Sequence, residues 1–347
     1  MAYTTVNKST DHFNTVTYTG NGSNQSITGV GFQPDWCWIK RRNGTASHEV
    51  YDAPRGTGKV IYPDASDAQV THGTSYFNSF DSDGFSFLAG NNGLNGNSNT
   101  YAAWNWKANG AGSANTDGTI NSTVSANQTA GFSIVKWVGT GANGTIGHGL
   151  NAVPKMVIVK CLDAGVNWFV YHQATGNTKE LYLDSNSAPY SGTTAWQSYT
   201  PTSSVVYLGA HNAGANKSGD DQIAYCFAEK TGFSKFGSYK GNGNADGTFV
   251  YLGFKPAFII TKKSSSTGPW DLFDNTRNVI NPVNSRLHPS ASDNEFTDAV
   301  MSIDFLSNGF KLKTTDNELN TNGATFIYMA FAEAPLVGSN NVPCTAR

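Results

Sequence analysis

Charged side chains are scarce in this chain of 347 residues, where Asp, Glu, Lys and Arg together make up 14%. The 23 basic and 25 acidic residues give a net charge of −2, so no basic surface for nucleic acid or an anionic membrane is expected. No apolar run approaches the roughly 20 residues that span a bilayer. The first residues also lack the basic and apolar segments of a signal peptide, so synthesis in a cytoplasm is expected.

Reactive motifs are missing as well. The four cysteines, at positions 37, 161, 226 and 344, form no C-x-x-C pair and no metal-ligand spacing, so buried free thiols are expected. Neither G-x-S-x-G nor H-E-x-x-H occurs, and the seven histidines show no ligand spacing. The sequence therefore predicts a non-enzymatic protein with no metal and no cofactor. Two carboxylates that meet only in the fold, as in glycosidases, remain an open alternative.

One short segment resembles the start of a calcium loop. It reads Asp81-Ser-Asp83-Gly84, but position twelve of such a loop is Asn92, where a bidentate acid is required. The corresponding segment Ser307-Asn-Gly309 keeps the glycine and loses the charge. A β-turn explains both copies better than a metal site does.

The chain is rich in glycine, asparagine, serine and threonine, with 37 glycines and 12% aromatic residues. Short aromatic and β-branched runs alternate with turn residues, which is the pattern of an all-β fold. No segment shows a convincing helical period. The first hundred residues alone hold seven or eight short strand candidates, enough for two packed sheets.

One spacing pattern occurs three times along the chain. In each copy a lysine follows a proline by six residues, a polar residue follows the lysine by twelve, and another follows three later. The three sets are Pro34, Lys40, Asp52, Arg55; Pro154, Lys160, His172, Thr175; and Pro256, Lys262, Asp274, Arg277. Three copies with identical spacing predict that the chain consists of tandem repeats.

The repeats divide the chain into three predicted β-sandwich units of jelly-roll or lectin-like type, each of roughly 100 residues. Their expected bounds are 1–108, 129–229 and 230–335. Residues 109–128 are mostly Gly, Ala, Ser, Thr and Asn and are predicted to be a flexible linker, and residues 336–347 a polar tail. Three like units in one chain could also form a pseudo-threefold body.

The repeated polar residues have two interpretations. The second repeat has His172 where the others have Asp, and Thr175 where they have Arg. Losing acid and base together is what an ion pair predicts, because removing one partner would leave the other stranded. A structural ion pair is therefore favoured for Asp52 with Arg55 and Asp274 with Arg277, and a ligand site is the alternative.

Two aromatic residues stand apart from the repeat pattern. Tyr190 and Trp196 lie in the loop Ser185–Thr202, among small polar residues. Exposed loop aromatics can stack on a sugar face or anchor a protein contact. These two residues are the predicted ligand-binding positions, and an ordinary loop is the alternative.

Several long motifs resemble proteins of tailed-phage virions, common in marine and cyanobacterial phages, that carry tandem lectin-like repeats in tail fibres and tail-associated parts. The resemblance covers almost the whole chain. It rests on these segments: Gln33–Lys40, Asp81–Phe85, Ala224–Glu229, Phe233–Gly243 and Tyr328–Pro335.

The resemblance implies a structural protein of the virion, in a tail fibre or another appendage. Its expected partners are other virion proteins, further copies of itself and a glycan of the host surface. A capsid decoration or head-fibre protein is the first alternative, and a tailspike-type glycan depolymerase is the second. The resemblance carries no catalytic or binding residues to transfer.

Overall fold

The computed structural model describes residues 4–73, 76–90, 92–211, 214–297 and 299–333. Antiparallel strands are the dominant regular structure in this part of the chain, and its two α-helices have four residues each. The prediction of an all-β fold is confirmed. Among the described residues, no helix is long and apolar enough to cross a membrane.

We keep the word repeat for the three sequence segments that carry the spacing pattern. The first of them contains a 3-10 turn at Ser9–Asp11. Its elements are β1 (Phe13–Thr19), β2 (Gln25–Ile27), β3 (Trp36–Arg41), β4 (Glu49–Asp52), β5 (Lys59–Val60), β6 (Val70–Thr71), β7 (Phe77–Asp81), β8 (Gly84–Phe87), α1 (Asn92–Asn95) and β9 (Thr100–Trp106).

Ten strands follow from residue 113 to residue 228. They are β10 (Ser113–Asn115), β11 (Ser122–Asn127), β12 (Phe132–Val138), β13 (Gly144–Gly147), β14 (Pro154–Cys161), β15 (Phe169–His172), β16 (Lys179–Tyr182), β17 (Tyr190–Ser191), β18 (Val205–Leu208) and β19 (Asp221–Ala228).

The third repeat again has a short helix before its last strand. Its elements are β20 (Ser234–Lys240), β21 (Phe249–Tyr251), β22 (Pro256–Lys263), β23 (Trp270–Asp274), β24 (Ser285–Arg286), β25 (Phe296–Thr297), β26 (Ile303–Leu306), β27 (Gly309–Leu312), α2 (Asn317–Asn320) and β28 (Thr325–Ala332).

One strand order recurs in three sheets, which we call the main sheets. The orders are β1-β9-β3-β4, β12-β19-β14-β15 and β20-β28-β22-β23, the second lying within a sheet of eight strands. A smaller outer sheet accompanies each: β2-β8-β7, β13-β18 and β21-β27-β26. The division of the chain into tandem domains with the bounds given above stays a prediction.

The prediction of a flexible linker over residues 109–128 is wrong. Strand β11 pairs with β12 along its whole length, from Ser122 opposite Trp137 to Asn127 opposite Phe132. Strand β10 pairs with β11 in turn. Small polar residues form strands here because the edge of the second main sheet supplies partners for their backbone groups.

Each main sheet packs one face against its outer sheet and the other face against the two remaining main sheets. In the first repeat, Ile39 and Tyr101 of the main sheet share a buried cluster with Phe85 of the outer sheet. The opposite faces of all three main sheets share a single larger cluster, which we call the central core. Period-two alternation along the strands places apolar side chains on both faces.

Three aromatic residues from corresponding strand positions meet in the central core. Trp106, Phe227 and Phe331 belong to β9, β19 and β28. Their ring centroids are 6.5 Å apart for Trp106 and Phe227, 5.6 Å for Trp106 and Phe331, and 6.2 Å for Phe227 and Phe331. Each main sheet therefore contributes one ring to the same contact, within the range of favourable aromatic pairs.

The segment that resembles a calcium loop is a hairpin turn between β7 and β8. The carboxylate of Asp83 accepts hydrogen bonds from the backbone amides of Gly29, at 3.0 Å, and Gly31, at 2.6 Å. Gly84 has φ of +147°, and a Cβ there would lie 1.9 Å from the carbonyl oxygen of Ile27. Asp83 therefore fixes a neighbouring turn, and only glycine fits after it.

The cysteines of the described part, Cys37, Cys161 and Cys226, are buried free thiols. Cys344 and the predicted tail 336–347 lie outside the described residues.

Candidate functional site

Asp52 and Arg55 form a buried ion pair at the end of β4. The guanidinium Nε of Arg55 donates to Oδ2 of Asp52 at 2.5 Å, and both side chains are at most 1% exposed. The hydroxyl of Tyr225, on β19 of the second repeat, donates to the same oxygen at 2.7 Å. The pair therefore joins the first repeat to the second.

Asp274 and Arg277 repeat this arrangement at the end of β23. Nε of Arg277 donates to Oδ2 of Asp274 at 2.5 Å, with both side chains fully buried. Here the donor from another repeat is the indole Nε1 of Trp104, on β9 of the first repeat, at 3.0 Å. The third repeat is thus joined back to the first.

His172 takes the place of the acid in the second repeat. Its Nδ1 accepts from the backbone amide of Ala174 at 3.2 Å, so Nε2 carries the proton and donates to the carbonyl oxygen of Tyr328 at 3.1 Å. Burial lowers the pKa of His172 to about 4, so the imidazole is neutral near pH 7. A neutral donor to β28 of the third repeat needs no Arg beside it, which explains Thr175.

Each of the three repeated lysines contacts a neighbouring repeat as well. It contacts the neighbour that the Asp or His of its own repeat does not. The ammonium of Lys160 donates to the carbonyl oxygen of Ser66 in the first repeat at 2.9 Å. Lys262 reaches Ser187 of the second at 2.9 Å, and Lys40 reaches Ser292 of the third at 3.3 Å. Burial lowers the pKa of all three to about 8.

These contacts have one direction and close into a ring. The first repeat contacts the second, the second contacts the third, and the third contacts the first, each through the same two sequence positions. We name the three contact regions the first–second, second–third and third–first junctions. A heterologous contact that closes after three steps is a cyclic arrangement, here within one chain. The repeated polar residues therefore lie between the main sheets, away from open solvent.

Trp196 does not fit the prediction of an exposed stacking residue. Its side chain is 1% exposed and packs edge-on against Tyr171, with ring centroids 5.9 Å apart. The prediction of a ligand contact by an exposed Trp196 ring is therefore wrong. Tyr190 is 59% exposed, on the two-residue strand β17, and remains a candidate.

A pair of tyrosines that sequence reasoning missed, one exposed and one half-buried, lies close by in the chain. Tyr199 is 57% exposed, and its ring packs against that of Tyr207 on β18 at 4.9 Å between centroids. The third repeat exposes Phe249 and Tyr251 on alternate positions of its outer strand β21. Tyr199 lies in the same loop as Tyr190 and Trp196, among small polar residues, and that setting was the signal that could have found it.

One cluster in the described part of the chain has metal-ligand residue types. Ligand atoms of Asp271, His288 and Glu318 lie within 4.8 Å of one another. The guanidinium of Arg286 contacts both carboxylates, at 3.1 Å for Asp271. This cluster already contains a positive charge, which is the arrangement of an ion-pair network.

The family model that matches this sequence covers residues 8–335. The chain belongs to the DUF7483 family. That family is described as a domain of unknown function. The DUF7483 match runs through all three repeats as one unit, as the junctions and the central core do. No curated protein matches the chain.

Because His172 of this DUF7483 chain is buried and neutral, we expect the protein to lose stability in acid. An unfolded histidine binds its proton near pH 6.5, whereas His172 does so only near pH 4, so the unfolded state gains protons first as the pH falls. Because one pKa unit corresponds to about 1.4 kcal/mol, His172 should cost about 3 kcal/mol of unfolding free energy between pH 7 and pH 4.

Urea unfolding of the wild type and of a His172→Asn variant at both pH values measures this contribution. The difference between the two proteins isolates His172, because burial also raises the pKa of Glu49 to about 7, which acts in the opposite direction in both. An unchanged difference from pH 7 to pH 4 would show that His172 is not a buried neutral group.

Proposed function

We propose that the chain is a non-enzymatic structural protein of a tailed-phage virion, in a tail fibre or another appendage, where it recognises a glycan of the host surface. The motif resemblance supports the place in the virion. The observation that carries glycan recognition is the exposed ring of Tyr199, packed against the half-buried Tyr207 on a closed, rigid frame. Aromatic faces suit the apolar faces of sugar rings.

This frame suits a binding role without catalysis, because its buried polar groups already form hydrogen bonds with one another. Asp52 and Asp274, the buried acids of the junctions, each accept hydrogen bonds from a guanidinium and from an aromatic donor of another repeat. Neither is available as a general base. The three outer sheets lie away from the central core, where their loops and exposed rings can meet a partner.

Several exposed rings on one chain can act together. Tyr190 and the pair of Tyr199 and Tyr207 lie in the second repeat, and Tyr251 lies in the third with the ammonium of Lys235 5.2 Å from its ring centroid. Weak sugar contacts gain strength when several are held in one body, and further when copies of the chain assemble. We propose a homo-oligomer for this reason.

Substitution of Tyr199 tests the carrying observation. In Tyr199→Ala, binding to an array of bacterial surface glycans should weaken about three- to tenfold, because one stacking face is lost. Tyr199→Phe keeps the ring and should bind as the wild type does. Equal binding by the Ala variant would remove this pair as the site, and no binding by the wild type would contradict glycan recognition.

A capsid decoration or head-fibre protein is the second candidate, favoured by an exposed apolar loop. Val279 is 81% exposed and Ile280 is 79% exposed, and adjacent apolar side chains at a surface suit docking on another protein. Immunogold labelling of intact virions separates the two candidates. Label at the distal tail supports the adhesin, label over the head supports decoration, and unlabelled particles contradict both.

A further inference from the structure

At two of the three junctions, an arginine guanidinium occupies the same sequence position and donates a hydrogen bond to a side chain of a nearby loop. Nη1 of Arg55 donates to the side-chain oxygen of Gln69 at 3.3 Å in the first repeat. Nη1 of Arg277 donates to the carboxylate of Glu295 at 2.9 Å in the third. Both arginine side chains are at most 1% exposed, so each fills its space completely.

The second repeat lacks both partners of this contact. Thr175 stands where the others have arginine. Strand pairing gives the loop position: Gln69 directly precedes β6 of the first repeat, and Pro189 directly precedes β17, the corresponding strand of the second. Neither threonine nor proline can replace the guanidinium and its acceptor in volume or in hydrogen bonding.

A cleft of about 340 Å³ lies where the guanidinium would be, between the second and third repeats. We call it the Thr175 cleft. Thr175, Lys179 and Pro189 line it from the second repeat, and Ser264, Ser265 and Thr325 line it from the third. Its volume is at the lower end of the range for small-molecule sites.

The lining of the Thr175 cleft is rich in hydroxyl groups and includes the ammonium of Lys179. The hydroxyl of Thr175 donates to the carbonyl oxygen of His172 at 2.9 Å, which leaves its lone pairs free to accept. The hydroxyl of Ser265 accepts from the amide of Thr325 at 3.1 Å, which leaves its proton free to donate. Hydroxyl groups offer both roles to a ligand that also has both.

A cationic ligand fits this lining poorly. None of the described residues that line the cleft has a carboxylate, so a cation would lack a counter-charge. The ammonium of Lys179 donates one of its three hydrogen bonds to the hydroxyl of Ser191 at 2.6 Å and can donate another to a ligand hydroxyl. The ring of Pro189 and the methyl of Ala188 add an apolar surface to the hydroxyl groups, which is the mixture that a sugar ring presents.

We propose that the Thr175 cleft binds one neutral sugar unit, of hexose or N-acetylhexosamine size. The inference rests on the proposed glycan recognition and gives it a second position, between two repeats and apart from Tyr199. Three side chains, His172, Thr175 and Pro189, distinguish this junction from the first–second junction, where Arg55 contacts Gln69.

The repeats themselves supply the variant that should close the cleft. Replacing His172→Asp, Thr175→Arg and Pro189→Gln together copies the first repeat, where the same residues fold as a buried pair. A second variant, Ser264→Arg, fills the cleft from the third repeat and copies Arg42 of the first. Thr175→Ser keeps the hydroxyl and the open volume and serves as the matched control.

Saturation-transfer NMR of the full chain with free glucose, galactose, mannose and N-acetylglucosamine tests the proposal. The wild type and Thr175→Ser should both transfer saturation to at least one sugar. Both filling variants should bind that sugar at least tenfold more weakly. They should also unfold as cooperatively as the wild type on heating. If one filling variant fails to fold, the other decides.

The outcomes separate this proposal from glycan recognition in general. Unchanged sugar binding in the folded filling variants overturns the Thr175 cleft and leaves the exposed tyrosines as the site. A wild type that binds arrayed glycans but no free sugar also overturns the cleft alone. A wild type that binds neither overturns both proposals.

Discussion

Replacing Arg55 with threonine should lower the free energy of unfolding by about 3–5 kcal/mol, because it leaves the buried carboxylate of Asp52 without its counter-charge. Both side chains are withdrawn from water, so solvent cannot compensate for the loss. The phenol of Tyr225 would remain as the only aromatic donor to that carboxylate. Unfolding of the variant and the wild type in guanidinium chloride measures the difference in unfolding free energy.

The second repeat provides the control for this prediction. The double variant Asp52→His and Arg55→Thr copies His172 and Thr175, which form a junction without charge. It should be less destabilised than Arg55→Thr alone, although it has one more substitution. If the double variant is as unstable as the sum of its two single variants, the acid and the base do not act as a pair.

Replacing Phe331 with alanine should destabilise the whole chain by about 3–5 kcal/mol, the usual cost of removing a buried phenylalanine ring. Phe331 contacts Trp106 of the first repeat and Phe227 of the second. It also stacks on Phe13 at 5.0 Å between centroids. The cavity would therefore open between three sheets instead of inside one.

Native-state hydrogen exchange should show that this loss spreads beyond the third repeat. Amides of β9 and β19 should lose protection together with those of β28, because the ring joins all three strands. A matched control is Phe305→Ala in β26, a buried ring in the separate core of the third repeat. Protection lost only in β28 and its neighbours after Phe331→Ala would contradict a shared central core.

Some parts of this structure follow from local spacing and could be predicted. The three-residue interval from Asp52 to Arg55 places acid and base on one turn after a strand, so pairing follows from the sequence. The all-β fold follows from short aromatic runs between turn residues. The hairpin at Asp83 follows from its glycine, which a calcium site would have needed elsewhere.

The partners of these residues could not be predicted, because they come from distant parts of the chain. Asp52 and Tyr225 are 173 positions apart, and Trp104 and Asp274 are 170 apart. Only the packing of three main sheets brings them together. One sequence gives the repeat pattern, but it does not say which repeat contacts which, or that the contacts close.

The predictions for Trp196 and for residues 109–128 are wrong for the same physical reason. The neighbours of Trp196 in the chain are small and polar, yet its ring is covered by Tyr171 and Val206, which lie elsewhere in the sequence. Strand β11 has few apolar side chains, yet the edge of β12 offers it a full set of backbone partners. Burial and pairing depend on what arrives from outside the segment.

Differential scanning calorimetry of the wild-type chain tests most directly the claim that three repeats form one closed body. The junctions and the central core predict a single transition whose calorimetric and van't Hoff enthalpies are equal, as for one cooperative unit. Three repeats that fold independently would give separate transitions, or one broad transition with a calorimetric enthalpy about three times the van't Hoff value. That second result would contradict the ring and leave the junction contacts as surface packing between autonomous domains.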